Sequence, residues 1–211
     1  MLIWIAGRLP GWVTSDQLTC LGLASMAAAG GAFAAMRVSP GAAAAGVAAS
    51  LVANWFGDSL DGTLARVRNQ QRPRYGFYVD HVIDVAGTAF LLGGMACSGQ
   101  MAPIVALTVL AAYLMVTAES YLATHALGVF RMSFLGFGPT ELRILLVTGA
   151  LVVIRDSRVH GGPFAGMQLF DVGGIIAAAG LLVVFAVNAT RHTRALHQAE
   201  PLPAHSARRA A

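Results

Sequence analysis

The chain has no lysine and little charge of any kind. Only 11% of its 211 residues are charged, against about 25% in soluble domains, which excludes an ordinary water-soluble surface. All 14 cationic side chains are arginine and fall mainly between apolar runs, so the formal charge of +4 does not mark a nucleic-acid binder. Cysteine is limited to Cys20 and Cys97, far apart inside apolar stretches, which excludes a disulfide framework and a zinc-ligand spacing. The opening MLIWIAGRLPGW is too short and too aromatic for a secretory signal. It suits an interfacial segment over residues 1–16, with Trp4 and Trp12 at headgroup level. No internal repeat is evident. What remains is a chain that is 56% hydrophobic with a mean hydropathy of +0.66.

About 20 apolar residues span a bilayer as a helix, and six such stretches follow one another: 17–37, 42–64, 76–98, 102–127, 139–156 and 171–190. Turn chemistry separates them at Ser39-Pro40-Gly41, Ser98-Gly99-Gln100, Gly136–Pro139 and Gly161-Gly162-Pro163. The expected fold is an all-α integral membrane protein with six transmembrane helices and a polar cavity on the cytoplasmic side. Residues 1–190 form its membrane domain, and 191–211 a polar tail expected to be disordered. Arg66, Arg68, Arg72 and Arg74 sit between spans two and three, Arg131 follows span four, and Arg191, Arg194, Arg208 and Arg209 lie in the tail. Arg37, Arg155 and Arg158 form the minority on the other side, the last two in a solvated loop that also holds Asp156 and His160. Arginine bias places both termini in the cytoplasm, with a bacterial inner membrane as the host.

Within this apolar chain, DSLDGTLAR (Asp58–Arg66) and GFYVDHVID (Gly76–Asp84) gather four aspartates. A carboxylate near the bilayer centre costs about 2.5–3.5 kcal/mol on insertion scales, so four together call for a bound cation. Asp58 and Asp61 are three apart, and Asp80 and Asp84 four apart, so each pair shares a helix face. A short loop joins the two helices, which must run antiparallel, and the four carboxylates converge near one membrane surface. Hard oxygen donors favour Mg²⁺, with Mn²⁺ as the alternative. Gly62 and Gly76 leave room for a ligand, and the Arg66 fork suits phosphate oxygens. Asn54, one turn before Asp58, is placed to support its carboxylate.

The string Asp58-x-x-Asp61-Gly62-x-x-Ala65-Arg66, then Gly76-x-x-x-Asp80-x-x-x-Asp84, resembles the signature of the CDP-alcohol phosphatidyltransferases at every defined position. That resemblance implies that Asp58, Asp61 and Asp80 hold two metal ions, with Asp84 touching one of them. It implies that Asp61, Gly62, Ala65, Arg66 and Gly76 contact the CDP moiety, that Asp84 is the general base, and that the protein is a homodimer. The expected reaction moves a substituted phosphate from a CDP-linked donor to an alcohol acceptor and releases CMP. One of the two substrates is a lipid.

The branch of the family is read from residues beside the motif. His125 and Ala123 follow Ser120-Tyr121, and Val85 follows the last aspartate, where members using phosphorylated alcohols often carry charge. Asp80-His81 and Gly138–Glu141 are similar to the amino-alcohol branch. These features favour a CDP-amino-alcohol donor with a diacylglycerol-type acceptor. The alternative is phosphatidyl transfer from CDP-diacylglycerol to inositol phosphate, glycerol phosphate or serine, which a phosphate pocket of Arg131, Arg143 and Arg191 would favour. His81 is a candidate to assist proton removal, and Glu119, His125, Arg131, Glu141 and Arg143 are candidates for acceptor binding. A cation transporter would string its carboxylates along a path across the membrane, whereas these cluster at one end. A membrane prenyltransferase would require two separated Asp-rich motifs and more spans.

Overall fold

The computed structural model describes residues 1–128 and 139–200. Those residues are all-helical, with no strand among them: α1 (Leu2–Ala6), α2 (Ser15–Ala34, continued by a 3₁₀ turn to Arg37), α3 (Pro40–Val67), α4 (Pro73–Cys97), α5 (Pro103–Leu127), α6 (Pro139–Arg155) and α7 (Leu169–Ala199). Their starts follow from local chemistry. Thr14 and Gln17 form a reciprocal capping box before α2, which satisfies two otherwise orphaned amide donors. Proline opens α3, α4 and α5, where its missing N–H costs nothing. At the other end of α5, Gly128 adopts a left-handed conformation (φ 67°) and stops the helix.

The six expected spans reappear as the six helices α2–α7, but four of them (α2, α4, α5 and α7) are long and apolar enough to cross a membrane. Helix α3 is long but rich in alanine and glycine, and it ends in aspartates and an arginine. Helix α6 has 17 residues, about 26 Å at 1.5 Å per residue, short of a ~30 Å hydrocarbon layer. The chain is thus a multi-pass membrane protein, with four spans supported by length and apolarity. Helix α7 also departs from expectation, running on to Ala199 through residues assigned to the polar tail. Arg191, Arg194, Ala195, Leu196 and Gln198 are good helix formers, and His192 anchors this stretch to α5. The remainder of the tail, 201–211, lies outside the described residues, as does Arg131.

Consecutive helices alternate in direction and divide the bundle into two halves. The far half holds the apolar core, where Phe33, Met36, Val47, Leu51, Leu91, Met95 and Phe170 are buried together. Phe33 and Phe170 meet edge to face at 5.5 Å. The near half gathers the C-terminal ends of α3, α5 and α7 and the N-terminal ends of α2, α4 and α6. Helix α1 closes this half by packing Ala6 onto Leu18, Leu60 and Leu64. Arg68 secures the following segment by donating to the Leu9, Pro10 and Val13 carbonyls. Trp4 and Trp12 stay exposed, at 63% and 73%, with the Arg8 guanidinium 3.6 Å over the Trp4 ring.

Helix α2 sits between α3 and α4 at glycine crossings that bring backbone to backbone. A Cβ at Gly57 would lie 2.6 Å from the Leu18 carbonyl oxygen, and one at Gly94 would lie 2.0 Å from the Gly30 carbonyl oxygen. Such proximity is the usual way that membrane helices pack where small residues meet. Gly93, next in sequence, faces open space. Gly94→Ala therefore destabilises the bundle by at least the 1–3 kcal/mol of an overpacked core, whereas Gly93→Ala is neutral or slightly stabilising, as alanine is the better helix former. Thermal unfolding in detergent measures the difference, and equal melting temperatures would contradict the crossing.

Candidate metal centre

Two halves of one motif meet at the near end. The last three turns of α3 carry Asp58 and Asp61, Asp80 and Asp84 lie within the first four turns of α4, and the connection between the helices spans 68–72. Asp58, Asp80 and Asp84 each present a carboxylate oxygen within 4.8 Å of the others. Ligand oxygens on one octahedral Mg²⁺ stand about 3–4 Å apart, given metal–oxygen distances of about 2.0–2.1 Å. An all-carboxylate set at this spacing fits a hard divalent cation and does not suit a soft one.

Asp61 stands beside this trio but is held differently. Its Oδ2 accepts from the Thr19 hydroxyl at 2.8 Å, and its Oδ1 from the Gly62 amide at 2.5 Å. Ser15 donates to the Asp61 carbonyl at 2.9 Å, so the start of α2 is tied to the end of α3. Thr19 and Ser15 were not singled out from the sequence. The available signal was two hydroxyl residues one helical turn apart, just inside an otherwise apolar span. Asn54 supports Asp58 through an intermediary: it accepts from Arg143 Nε at 2.8 Å, and Arg143 Nη2 donates to Asp58 Oδ2 at 2.6 Å.

The residues expected around CDP line the same end. Arg66 is exposed and donates to Thr63 at 3.2 Å. The Gly62 Cα faces that guanidinium, and a Cβ at Gly76 would meet open space. Ala65 is half-buried one turn from Asp61. A cavity of about 460 Å³ opens here between Thr14, Ser15, Asp16 and Gln70, Gln71, Arg72, with Arg72 bridged to both Asp16 oxygens. His81 packs between the Phe77 ring at 4.2 Å and the edge of Tyr121 at 5.5 Å, and its Nδ1 lies 2.6 Å from the Phe77 carbonyl. Its position is therefore fixed on α4 beside Asp80.

The acceptor candidates separate. Arg143 joins the aspartates as described. Glu141 is exposed in the first turn of α6, and His125 is exposed in the last turn of α5. Glu119 is buried and pairs with His192 of α7 at 2.6 Å, a partner 73 positions away that no local pattern announces. At the opposite end, the loop of Arg155, Asp156, Arg158 and His160 is exposed, as expected, but internally bonded. The Arg158 amide and His160 hold the Asp156 carboxyl below the usual carboxylate range.

The CDP-alcohol phosphatidyltransferase family model matches residues 12–192. The chain belongs to this family. It is accordingly a CDP-alcohol phosphotransferase, a membrane enzyme of phospholipid biosynthesis. Among curated proteins no relative matches. Among solved structures, the phosphatidylinositol phosphate synthase PgsA1 of Mycobacterium tuberculosis, crystallised with CDP-DAG bound, is similar over 100% of this chain and 99% of its own. The two share 21% identity with a TM-score of 0.57, a likeness of fold.

The Glu119–His192 pair tests how α7 is held in this transferase. His192→Ala strands a buried carboxylate and lowers stability by about 1–3 kcal/mol, read as a drop in melting temperature. Glu119→Gln added to that variant restores part of the loss, because a neutral amide is cheaper to bury alone than a charge. No drop in the single variant would show that the pair does not fasten the helix.

Proposed function

We propose that the enzyme transfers a phosphatidyl group from CDP-diacylglycerol to the hydroxyl of a small water-soluble alcohol (inositol phosphate, glycerol phosphate or serine) and releases CMP. The observation that carries this reading is the meeting of Asp58, Asp80 and Asp84 within 4.8 Å at the junction of the two motif halves. The fold shared with a synthase solved with CDP-DAG supports a CDP-linked lipid donor. The preference for a CDP-amino-alcohol donor, drawn from His81, Val85 and the residues after Tyr121, gains no such support and is corrected here in favour of the alternative. Those signals came from neighbours of the motif. The ring of His81, for instance, packs against Phe77 and meets Tyr121 in a T-shaped contact.

In this reading Asp58, Asp61, Asp80 and Asp84 hold Mg²⁺ or Mn²⁺, two ions in all. A divalent cation so held neutralises the diphosphate and stabilises the departing CMP. Gly62, Ala65, Arg66 and Gly76 receive the CDP moiety. Asp84 accepts the proton of the acceptor hydroxyl as that oxygen bonds to the phosphatidyl phosphorus. The bond from that phosphorus to the CMP oxygen breaks, and CMP carries away the electron pair. His81, adjacent to Asp80, orients the incoming alcohol. Arginine enrichment at the same end, from Arg66 to Arg74 and at Arg191 and Arg194, supports a site facing the cytoplasm, within reach of both water and lipid.

Purified enzyme in nanodiscs with Mg²⁺, CDP-diacylglycerol and each of the three acceptors should release CMP with one of them, and chelation should stop it. Asp84→Asn should lower kcat by about 10³, within the 10²–10⁴ range of a general base, while donor binding persists. Turnover of CDP-choline or CDP-ethanolamine with diacylglycerol, and none with CDP-diacylglycerol, would overturn the donor assignment.

A further inference from the structure

Arg143 suits a phosphate ligand by its fork, yet its surroundings give it another task. Its side chain is 16% exposed and is fixed at two points, through Nη2 on Asp58 Oδ2 at 2.6 Å and through Nε on Asn54 Oδ1 at 2.8 Å. Asn54 is buried and donates in turn to the Gly22 carbonyl at 3.0 Å. One chain of bonds therefore runs from α6 through α3 to α2 and ends on backbone, which leaves the guanidinium little freedom to swing away. The contact takes one Asp58 oxygen only. Asp58 is also one of the three residues whose oxygens lie within 4.8 Å of one another.

Three carboxylates so close repel, and the partial burial of Asp58 and Asp80 beside the exposed Asp84 leaves that repulsion only partly screened by water. A guanidinium cannot shed its proton at any relevant pH, so Arg143 is a permanent positive charge inside the cluster. We propose that Arg143 is the resident counter-cation of the metal centre. It balances part of the carboxylate charge while no divalent ion is bound. By repelling an incoming divalent ion, it keeps metal affinity low until the donor diphosphate adds its own negative charge. Metal and donor then bind cooperatively, each raising the affinity of the other by the same factor. The inference rests on the metal-centre reading above and adds to it the origin of that coupling. A unit charge about 5 Å from a divalent ion changes its binding on the order of ten-fold even at the dielectric of water. A residue that merely oriented Asp58 would have the opposite effect, since loss of a bond that orients a ligand weakens metal binding.

The sign of the change decides between these roles. Mn²⁺ binding to the full chain in nanodiscs is titrated by electron paramagnetic resonance of the free ion, with and without CDP-diacylglycerol, and helicity is checked by circular dichroism. Arg143→Gln should tighten Mn²⁺ about ten-fold without donor and shrink the further tightening that donor produces. Arg143→Lys, which keeps the charge, should stay near wild type. Arg143→Met is a second neutral variant if the glutamine form does not fold. Unchanged or weaker Mn²⁺ binding in the folded neutral variants would overturn the counter-cation role. Failure of the wild type to bind Mn²⁺, with or without donor, would instead overturn the metal-centre reading itself.

Discussion

Mutual repulsion among carboxylates inside an apolar bundle is the constraint around which this molecule is organised. Asp58, Asp80 and Asp84 come within 4.8 Å of one another in a chain with few charges to spare. Each neighbouring polar contact answers that repulsion. Arg143 reaches Asp58 from α6, and Thr19 and the Gly62 amide take the two oxygens of Asp61. The apolar core is displaced to the far half, around Phe33 and Phe170. The apolar core and the carboxylate cluster thus occupy opposite ends of the same helices, as expected where polar groups must be paired among themselves and kept from lipid.

Much of this was legible in the residues. Both aspartate pairs lie at helical spacing, three and four apart, and a connection too short for anything but a reversal forces their helices to be antiparallel. Geometry alone then brings the two pairs to one end. Six helices could be drawn from apolar runs broken by Ser-Pro-Gly, Ser-Gly-Gln and Gly-Gly-Pro, because glycine and proline punctuate backbone conformation without reference to tertiary structure. The motif is likewise local, and a family match over residues 12–192 accords with it.

What escaped the sequence was long-range pairing. Glu119 and Arg143 were both visible as costly charges with a reason to exist, but their partners were not. His192 lies in a stretch whose composition resembles a solvated tail, and its contact with Glu119 helps to explain why α7 continues there. Arg143 was a candidate for acceptor binding and for a phosphate pocket with Arg131 and Arg191, and its bond to Asp58, 85 positions away, was not visible in the sequence. The branch of the family was read from residues beside the motif, a signal of the same local kind. His81 packs against Phe77 on α4 and meets Tyr121 of α5, contacts that bear on its identity apart from any donor.

The glycine crossings have a consequence for catalytic precision. Where backbone touches backbone there is no rotamer to yield, so the spacing of α2 from α3 near Gly57, and from α4 near Gly94, is set by hard-atom radii. Gly57 directly precedes Asp58. Helix α2 contributes no carboxylate to the trio, but it serves as the common ruler against which α3 and α4 are both measured. The relative placement of the two aspartate pairs is thus inherited from an element that adds no carboxylate of its own to the trio.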